Sequence, residues 1–200
     1  MCVDITAEQI KKLREATGAG VLDSREALRQ TGGDFDKAAA YLREKGLIKA
    51  AKKSDRAASD GVIGSYIHYN NRVAVLVELN SETDFVARTE DFGALAQSLA
   101  MHIAMANPLY IAPEDVPADV LEAKRAIYRQ EAETTGKPAP VVDKIVDGKI
   151  EKFYDEACLL RQPYIKDDKV RIGDMIAQAI ARLGENIMVR RFARFEVGGE

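Results

Sequence analysis

Hydrophobic residues recur every three to four positions over the first part of the chain, which is the spacing of amphipathic helices. The pattern predicts three short helices between residues 5 and 46. Thr6 and Gln9 have the spacing of a capping box at the start of the first helix. Glycine-containing turns separate the helices, and Gly46 is expected to end the third, because glycine readily adopts the left-handed backbone of a helix end.

A short basic segment follows these helices. Residues 49–56 read KAAKKSDR and contain no large apolar side chain, so they are predicted to be a linker. The chain is therefore expected to form two domains, a three-helix domain at residues 1–53 and a second domain at residues 54–200. A small phosphate-contacting patch is the alternative interpretation of the same charges.

Beyond residue 60 the hydrophobic period changes to alternation, which is typical of β-strands. Two alternating runs flank Asn70 and Asn71 and predict a β-hairpin over about residues 61–79, because asparagine tolerates the positive φ of a tight turn. A third strand is predicted near the carboxyl end. Its apolar residues are expected to share one face: Ile187, Val189, Ala193, Phe195 and Val197.

The central strand of this predicted sheet is apolar on both faces. One face would carry Val73, Val75, Val77 and Leu79, and the other Ala74 and Leu76. Such a strand needs cover on both sides, which helices on both sides, or helices and a partner subunit, would provide equally well. Helical patterns fill the rest of the chain. The predicted fold class is α+β, with an N-terminal three-helix domain and a core in which a small antiparallel β-sheet packs with helices.

Composition and charge narrow the possible functions. The chain has 200 residues, 46% of them hydrophobic, with a net charge of -3, so it is expected to fold without a general attraction to nucleic acid or anionic lipid. Cys2 and Cys158 lack metal-ligand or redox spacing, which fits a reducing compartment. The first residues lack the features of a secretory signal, and no stretch approaches the roughly 20 apolar residues of a membrane span. We expect a cytoplasmic protein.

The sequence contains no convincing catalytic or cofactor-binding motif. It has no phosphate-binding glycine loop, and its two histidines, His68 and His102, lie far apart without metal-ligand spacing. An enzymatic interpretation requires His68 to meet an acid in space. We therefore expect a binding function, with no catalytic residues, no cofactor and no metal ligands.

The segment NSETDFVART, residues 80–89, lies where an apolar strand pattern changes to a helical one. In the simpler interpretation, Thr83 or Asp84 caps the coming helix and Phe85 packs into the core behind it. The alternative is that Asp84 and Phe85 act on another molecule.

Six segments, in the same order along nearly the whole chain, resemble signatures of the elongation factor Ts family. They are residues 13–28 (LREATGAGVLDSREAL), 80–88 (NSETDFVAR), 136–138 (GKP), 144–153 (KIVDGKIEKF), 159–169 (LLRQPYIKDDK) and 180–192 (IARLGENIMVRRF). The departures are small. Val21 and Leu22 replace a frequent Met-Met pair, Ser81 stands where many members have cysteine, and Arg161 replaces a common glutamate.

The resemblance implies a guanine-nucleotide exchange factor that binds elongation factor Tu, with a ubiquitin-associated-like N-terminal domain. For a chain of this length it also implies a homodimer. The residues expected to enter the partner near its Mg²⁺ site are Thr83, Asp84, Phe85 and Val86. Those expected to contact its nucleotide-binding domain are Leu13, Arg14, Val21 and Leu22. The chief alternative is a non-enzymatic adaptor whose three-helix module binds ubiquitin-like or helical partners.

Overall fold

A computed structural model describes residues 5–134 and 136–199, and it confirms the α+β class. In chain order the elements are α1 Ala7–Thr17, α2 Val21–Gln30, α3 Phe35–Ala51, β1 Asp60–Ile67, β2 Val73–Ser81, α4 Asp84–Ala87, α5 Glu90–Ala106, α6 Ala118–Glu133, α7 Ala139–Ala157, β3 Pro163–Tyr164, β4 Asp167–Arg171, α8 Ile172–Leu183 and β5 Ile187–Glu196. Short 3-10 turns at Pro113–Asp115 and Leu159–Arg161 connect some of them.

The first three helices surround a small core. The capping box is confirmed: the Gln9 amide donates to Thr6 Oγ1 at 3.2 Å, and the Thr6 amide donates to Gln9 Oε1 at 2.9 Å. Asp34 caps α3 by accepting from the Lys37 amide at 3.0 Å. The core of this three-helix module consists of Leu13, Ala27, Leu28 and Ala38.

Helix α3 does not end at Gly46, as the sequence pattern predicted, but continues to Ala51. Gly46 is buried, and a Cβ built on it would lie 3.8 Å from Ala181 Cβ of α8. That distance is an ordinary van der Waals contact, so the position has room for a Cβ. Glycine costs roughly 1 kcal/mol inside a helix, and the packing of α3 against α8 offsets that cost.

The predicted linker is also held more firmly than a solvated connector. Its first residues belong to α3. Asn186 Nδ2 then donates to the carbonyls of Ser54 and Arg56 at 3.3 and 2.8 Å, and Lys53 Nζ donates to the Gly184 carbonyl. The domain boundary between residues 53 and 54 stays a prediction, and it lies in a segment that contacts the end of α8.

The main sheet is antiparallel, in the order β1-β2-β5. The predicted hairpin is confirmed, with Asn71 in the turn at a φ of 56°. Helices α5 and α8 pack on one face of the sheet, where Val75, Val77 and Leu79 contribute to the main core. Gly64 permits this packing, because a Cβ at that position would lie 2.7 Å from the Ala96 carbonyl oxygen of α5.

Strand β5 does not keep its apolar residues on one face. Glu78 pairs with Arg191, but Leu79 pairs with Val189, so Arg190 forms a β-bulge. One extra residue reverses the alternation of side chains. Ile187 and Val189 are buried as predicted, whereas the prediction is wrong for Ala193, Phe195 and Val197, which are displaced from the core-facing side of the strand.

The face of the sheet opposite α5 and α8 is therefore exposed and apolar. We call it the outer sheet face and define it by Ile63, Ile67, Ala74, Leu76, Ala193 and Phe195. Its large apolar side chains are all exposed, so the alternative with helices on both sides of the sheet is wrong for the described residues. An ion pair between Arg191 Nε and Glu78 Oε2 lies on the same side of the sheet.

Helices α6 and α7 form a hairpin with its own small core of Ala132, Val142 and Val146. Cys158, at the end of α7, is fully buried, and burial raises the pKa of its thiol to about 11. That thiol stays protonated and unreactive at neutral pH. No described helix is long and apolar enough to cross a membrane.

His102 is fully buried in α5, with Nε2 2.9 Å from Gln162 Oε1. Burial lowers the pKa of His102 below its ordinary value, and the hydrogen bond to Gln162 only partly opposes that shift. Below about pH 6.5 the unfolded chain therefore binds more protons at this residue than the folded chain does. The contribution of His102 to the free energy of unfolding is fully present above about pH 6.5. It is lost as the pH falls toward the lower pKa of His102 in the folded chain.

We expect the melting temperature to decrease as the pH falls below about 6.5, and His102→Gln to reduce that dependence. Glutamine keeps a polar group that can bond to Gln162 and removes the titration. Thermal unfolding of both proteins between pH 5 and 8 measures the difference, and His68→Gln, which changes the other histidine, is the control. Equal pH dependence in wild type and His102→Gln would contradict this assignment.

Candidate functional site

The candidate site is the junction between β2 and α4. Phe85 lies on the four-residue helix α4 with 81% of its surface exposed, so the interpretation that it packs into the core is wrong. Seven residues later Phe92 is fully buried in α5. The chain thus buries one of two neighbouring rings and presents the other to solvent. An exposed phenyl ring on a well-defined backbone suits insertion into another molecule.

The neighbours of Phe85 are divided between solvent and core. Asp84 accepts from Arg88 Nη2 at 2.8 Å in a half-exposed ion pair one helical turn apart. Val86 packs against the main core and thereby attaches α4 to it. Asp84 and Phe85 therefore lie on one accessible surface, and Val86 holds the same helix against the core.

Thr83 occupies the N-cap position of α4, but its side chain does not cap the helix. Its hydroxyl donates to Glu185 Oε1 at 2.6 Å, and its amide donates to Glu185 Oε2 at 3.0 Å. Glu82 in turn accepts from the Asn186 amide at 2.7 Å. The loop at residues 184–186 lies within the signature segment 180–192, but its hydrogen bonds to Thr83 and Glu82 were not predicted, because an acid-amide pair in a loop gives no periodic signal.

The predicted N-terminal contact residues are not equivalent. Leu13 is fully buried in the three-helix core, so its side chain is not available at the surface. Arg14, Val21 and Leu22 are exposed, with Leu22 at 80%. Val21 and Leu22 form the first turn of α2, which begins after the turn at residues 18–20.

An ion-pair network fixes the start of α2 against α3. Asp23 accepts from Lys45 Nζ at 2.9 Å and from Lys49 Nζ at 3.0 Å. The hydrogen bond from Lys45, followed by that from Lys49, lowers the pKa of Asp23. The exposed side chains of Val21 and Leu22 therefore stand on a backbone that is tied to the next helix.

A cleft of about 520 Å³ lies between the three-helix module and α8. Its lining includes more basic than acidic side chains: Arg14, Arg43, Lys45, Lys49 and Arg182 against Asp23 and Asp167. This local positive character was not apparent from the net charge of the whole chain, because the contributing residues come from separate segments.

Arg161, the charge reversal seen in the sequence, is bound within its own chain. Its Nη2 donates to Glu151 Oε2 at 2.7 Å and its Nε donates to Asp155 Oδ1 at 2.9 Å. These bonds join the 3-10 turn that follows α7 to α7 itself. The guanidinium has a structural role at this position.

Metal-binding groups and the surroundings of His68 are the remaining candidates for chemistry. Within residues 5–134 and 136–199, no group of three or more His, Cys, Asp or Glu side chains is placed to hold a metal ion. His68 Nδ1 lies 3.1 Å from the hydroxyl of Tyr66, a neighbour on β1. The features that stand out are exposed apolar side chains on firmly held backbone.

Comparison with known sequences agrees with the segments singled out above. A family model described as Elongation factor TS matches residues 3–199. Elongation factor Ts of Herpetosiphon aurantiacus is 56% identical over 98% of this chain and 99% of its own length. Elongation factor Ts of Fervidobacterium nodosum is 52% identical over 98% of this chain and 100% of its own. That of Citrifermentans bemidjiense is 51% identical over 98% and 91%. The chain belongs to the elongation factor Ts family.

Proposed function

We propose that this chain is a cytoplasmic guanine-nucleotide exchange factor that binds elongation factor Tu·GDP and promotes the release of GDP during translation elongation. The observation that carries the proposal is the exposure of Phe85 beside Asp84 on a junction held from both sides. Single exposed apolar side chains are common on protein surfaces, so the support comes from the position of this ring, beside a carboxylate in a segment that resembles a signature of the family.

The proposed mechanism acts on the metal site of the partner. A GTPase holds GDP through backbone amides and a Mg²⁺ ion that requires near-octahedral coordination. Phe85 enters between elements of the partner and favours an arrangement in which the supports of the metal are displaced, while Asp84 contributes a polar contact. Loss of the octahedral geometry weakens the hold on the phosphates. Asp84 need not coordinate the metal itself.

Thr83 and Val86 complete the inserting segment, although neither presents its side chain as freely as Phe85. Thr83 is engaged with Glu185, and Val86 packs against the core. In this proposal, Thr83 fixes the backbone of the inserting segment, and Val86 attaches that segment to the core. The N-terminal contact is assigned to Arg14, Val21 and Leu22, with Leu13 supporting them from the core.

Binding energy and nucleotide release are coupled in this proposal. A factor that weakens GDP binding must itself be bound more weakly by the GDP form, by the same free energy. The factor therefore accelerates exchange without selecting the nucleotide that binds next. The relative concentrations of GTP and GDP supply the direction.

The outer sheet face supports a homodimer. Leu76 on the central strand is opposite Ala193, and Ala74 is opposite Phe195, so the apolar positions are contiguous across strands. Ile63 and Ile67 extend the surface along β1. A two-fold axis through this face would bury the same patch on both subunits, which is the common arrangement in dimers. No function in nucleic-acid or membrane binding is proposed.

The proposed function is tested by mixing the purified chain with elongation factor Tu bound to a fluorescent GDP analogue. We expect the chain to accelerate release of the analogue and to form a nucleotide-free complex that is isolated by gel filtration. A complex that forms without faster release would favour the adaptor alternative. The absence of any complex would contradict the exchange function.

We expect Leu22→Ser to weaken the complex about 10- to 100-fold, because burial of one leucine contributes roughly 1.5 to 3 kcal/mol. The melting temperature should not change, since this side chain already lies in solvent. Titration calorimetry against nucleotide-free elongation factor Tu measures the affinity. Leu47→Ser, an exposed leucine on α3 outside the proposed contact, is the matched control. Equal affinities of Leu22→Ser and wild type would remove Leu22 from the interface.

A further inference from the structure

Two glutamates join the segment that carries Phe85 to the loop after α8. Glu185 in the loop accepts two hydrogen bonds from Thr83, one from its amide at 3.0 Å and one from its hydroxyl at 2.6 Å. Glu82 in the segment accepts from the amide of Asn186 in the loop at 2.7 Å. Each carboxylate thus binds a backbone amide of the opposite segment. We call this arrangement the reciprocal clamp.

The clamp fixes backbone atoms directly before the exposed ring. Helix α4 has only four residues, and Thr83 supplies no side-chain cap, so the helix contributes little rigidity of its own. Glu185 accepts a hydrogen bond from the Thr83 amide, which has no hydrogen-bond partner within α4. Hydrogen bonds to a carboxylate are roughly twice as strong as neutral ones. Glu185 therefore helps to hold the backbone from which Phe85 projects, together with Ser81 Oγ, which donates to the Thr83 carbonyl at 2.9 Å.

The same loop also fixes the connector from the three-helix module. The side chain of Asn186 donates to the carbonyls of Ser54 and Arg56, while its amide donates to Glu82. Arg56 Nη1 in turn lies 3.5 Å from Glu82 Oε1. One short loop thus holds both the segment that carries Phe85 and the chain that leads to α1–α3.

We propose that Glu185 is a positioning residue for nucleotide exchange. By binding both donors of Thr83, it holds the Asp84–Phe85 backbone in the orientation required for insertion. This inference rests on the proposed exchange function. Glu185 does not contact the partner's nucleotide or metal in this proposal, and it acts entirely through Thr83.

The first measurement requires no partner. Glu185→Gln keeps the shape of the side chain but removes its charge and replaces one acceptor oxygen by a donor, so it cannot accept both Thr83 hydrogen bonds in the present geometry, which uses one carboxylate oxygen for each. We expect hydrogen exchange of the amides at residues 82–88, followed by mass spectrometry of the isolated full chain, to become about tenfold faster, as expected for loss of one charge-assisted hydrogen bond. Exchange in α5 and β2 should not change.

The second measurement separates orientation from binding. Release of the fluorescent GDP analogue is followed over a range of factor concentrations. We expect Glu185→Gln to lower the maximal rate about five- to tenfold and to change the half-saturating concentration by less than about twofold. The N-terminal contacts still form the complex, but a smaller fraction of complexes holds the ring correctly. General destabilisation would instead lower the melting temperature, which is measured in parallel.

Glu151→Gln is the matched control, because it removes an equally short carboxylate bond, to Arg161, away from the junction. Both proteins should melt alike, and the control should release GDP at the wild-type rate. Unchanged hydrogen exchange at residues 82–88 in Glu185→Gln would refute the clamp. Faster hydrogen exchange with an unchanged maximal rate would refute its part in nucleotide release. A wild-type chain that fails to accelerate release would refute the proposed function itself, while hydrogen exchange still decides whether Glu185 holds the segment.

Discussion

Phe85→Ala is expected to leave the fold intact and to lower the maximal rate of GDP release from elongation factor Tu about 10- to 100-fold. Burial of one phenylalanine contributes roughly 1.5 to 3 kcal/mol, and each tenfold in rate corresponds to about 1.4 kcal/mol. The fold should be unaffected, because the ring makes few contacts within its own chain and is 81% exposed. Stopped-flow release of a fluorescent GDP analogue at saturating factor measures the effect.

Tyr69→Ala is the matched control for this prediction. Tyr69 lies next to the turn of the β1-β2 hairpin and is 86% exposed, so its replacement also removes an exposed ring but outside the proposed contact. Both variants should melt at the wild-type temperature, and only Phe85→Ala should slow release. An unchanged rate in Phe85→Ala would mean that the exposed ring has no part in exchange.

Leu76→Arg is expected to convert the proposed homodimer into a monomer. Leu76 lies at the centre of the outer sheet face and is 49% exposed in the single chain, so the folded subunit can accommodate a longer polar side chain there. In a two-fold dimer the change places two unpaired charges in the interface, and an uncompensated buried charge costs several kcal/mol. We expect the dimer dissociation constant to rise by at least about 100-fold.

Sedimentation equilibrium over a range of protein concentrations measures this change. Ile127→Arg, which introduces the same charge at an exposed apolar position on α6, is the control and should remain dimeric. A wild-type chain that is monomeric at micromolar concentration would contradict the proposed dimer. Dimeric Leu76→Arg would show that the subunits pair through another surface.

These two experiments address different parts of the same molecule. Phe85 lies at one end of β2, beyond Ser81, and Leu76 lies in the middle of that strand on the outer face. A monomeric Leu76→Arg protein that still accelerates release would show that one subunit is sufficient for exchange. Dimer formation would then not be required for nucleotide exchange, and the proposals made for Phe85 and Glu185 would apply to the single chain.

Local signals in the sequence predicted local structure well. The capping box at Thr6 and the turn at Asn71 each depend on a few adjacent residues, and the structure confirms both. The hydrophobic period likewise distinguished the helices from the hairpin. In each case the relevant hydrogen bonds or side-chain faces lie within a few positions of one another along the chain.

Predictions failed where a distant segment decided the outcome. Gly46 did not end α3, which continues to Ala51 and packs along α8. The bulge at Arg190 reversed the apolar face of β5, and alternation by itself does not reveal an extra residue in a strand pair. The partner contact expected for Leu13 stays a prediction, and the structure shows that its side chain is buried in the three-helix core.

The sequence by itself determined the α+β class, the helix caps, the hairpin and the family, because these follow from neighbouring residues and from ordered signature segments. Only the tertiary structure decided that Phe85 is exposed while Phe92 is buried, and that Glu185 holds Thr83 across 102 positions of chain. Hydrogen-bond partners so far apart leave no periodic trace. Their meeting depends on the packing of α8 against the sheet, which brings the ends of β2 and α8 together.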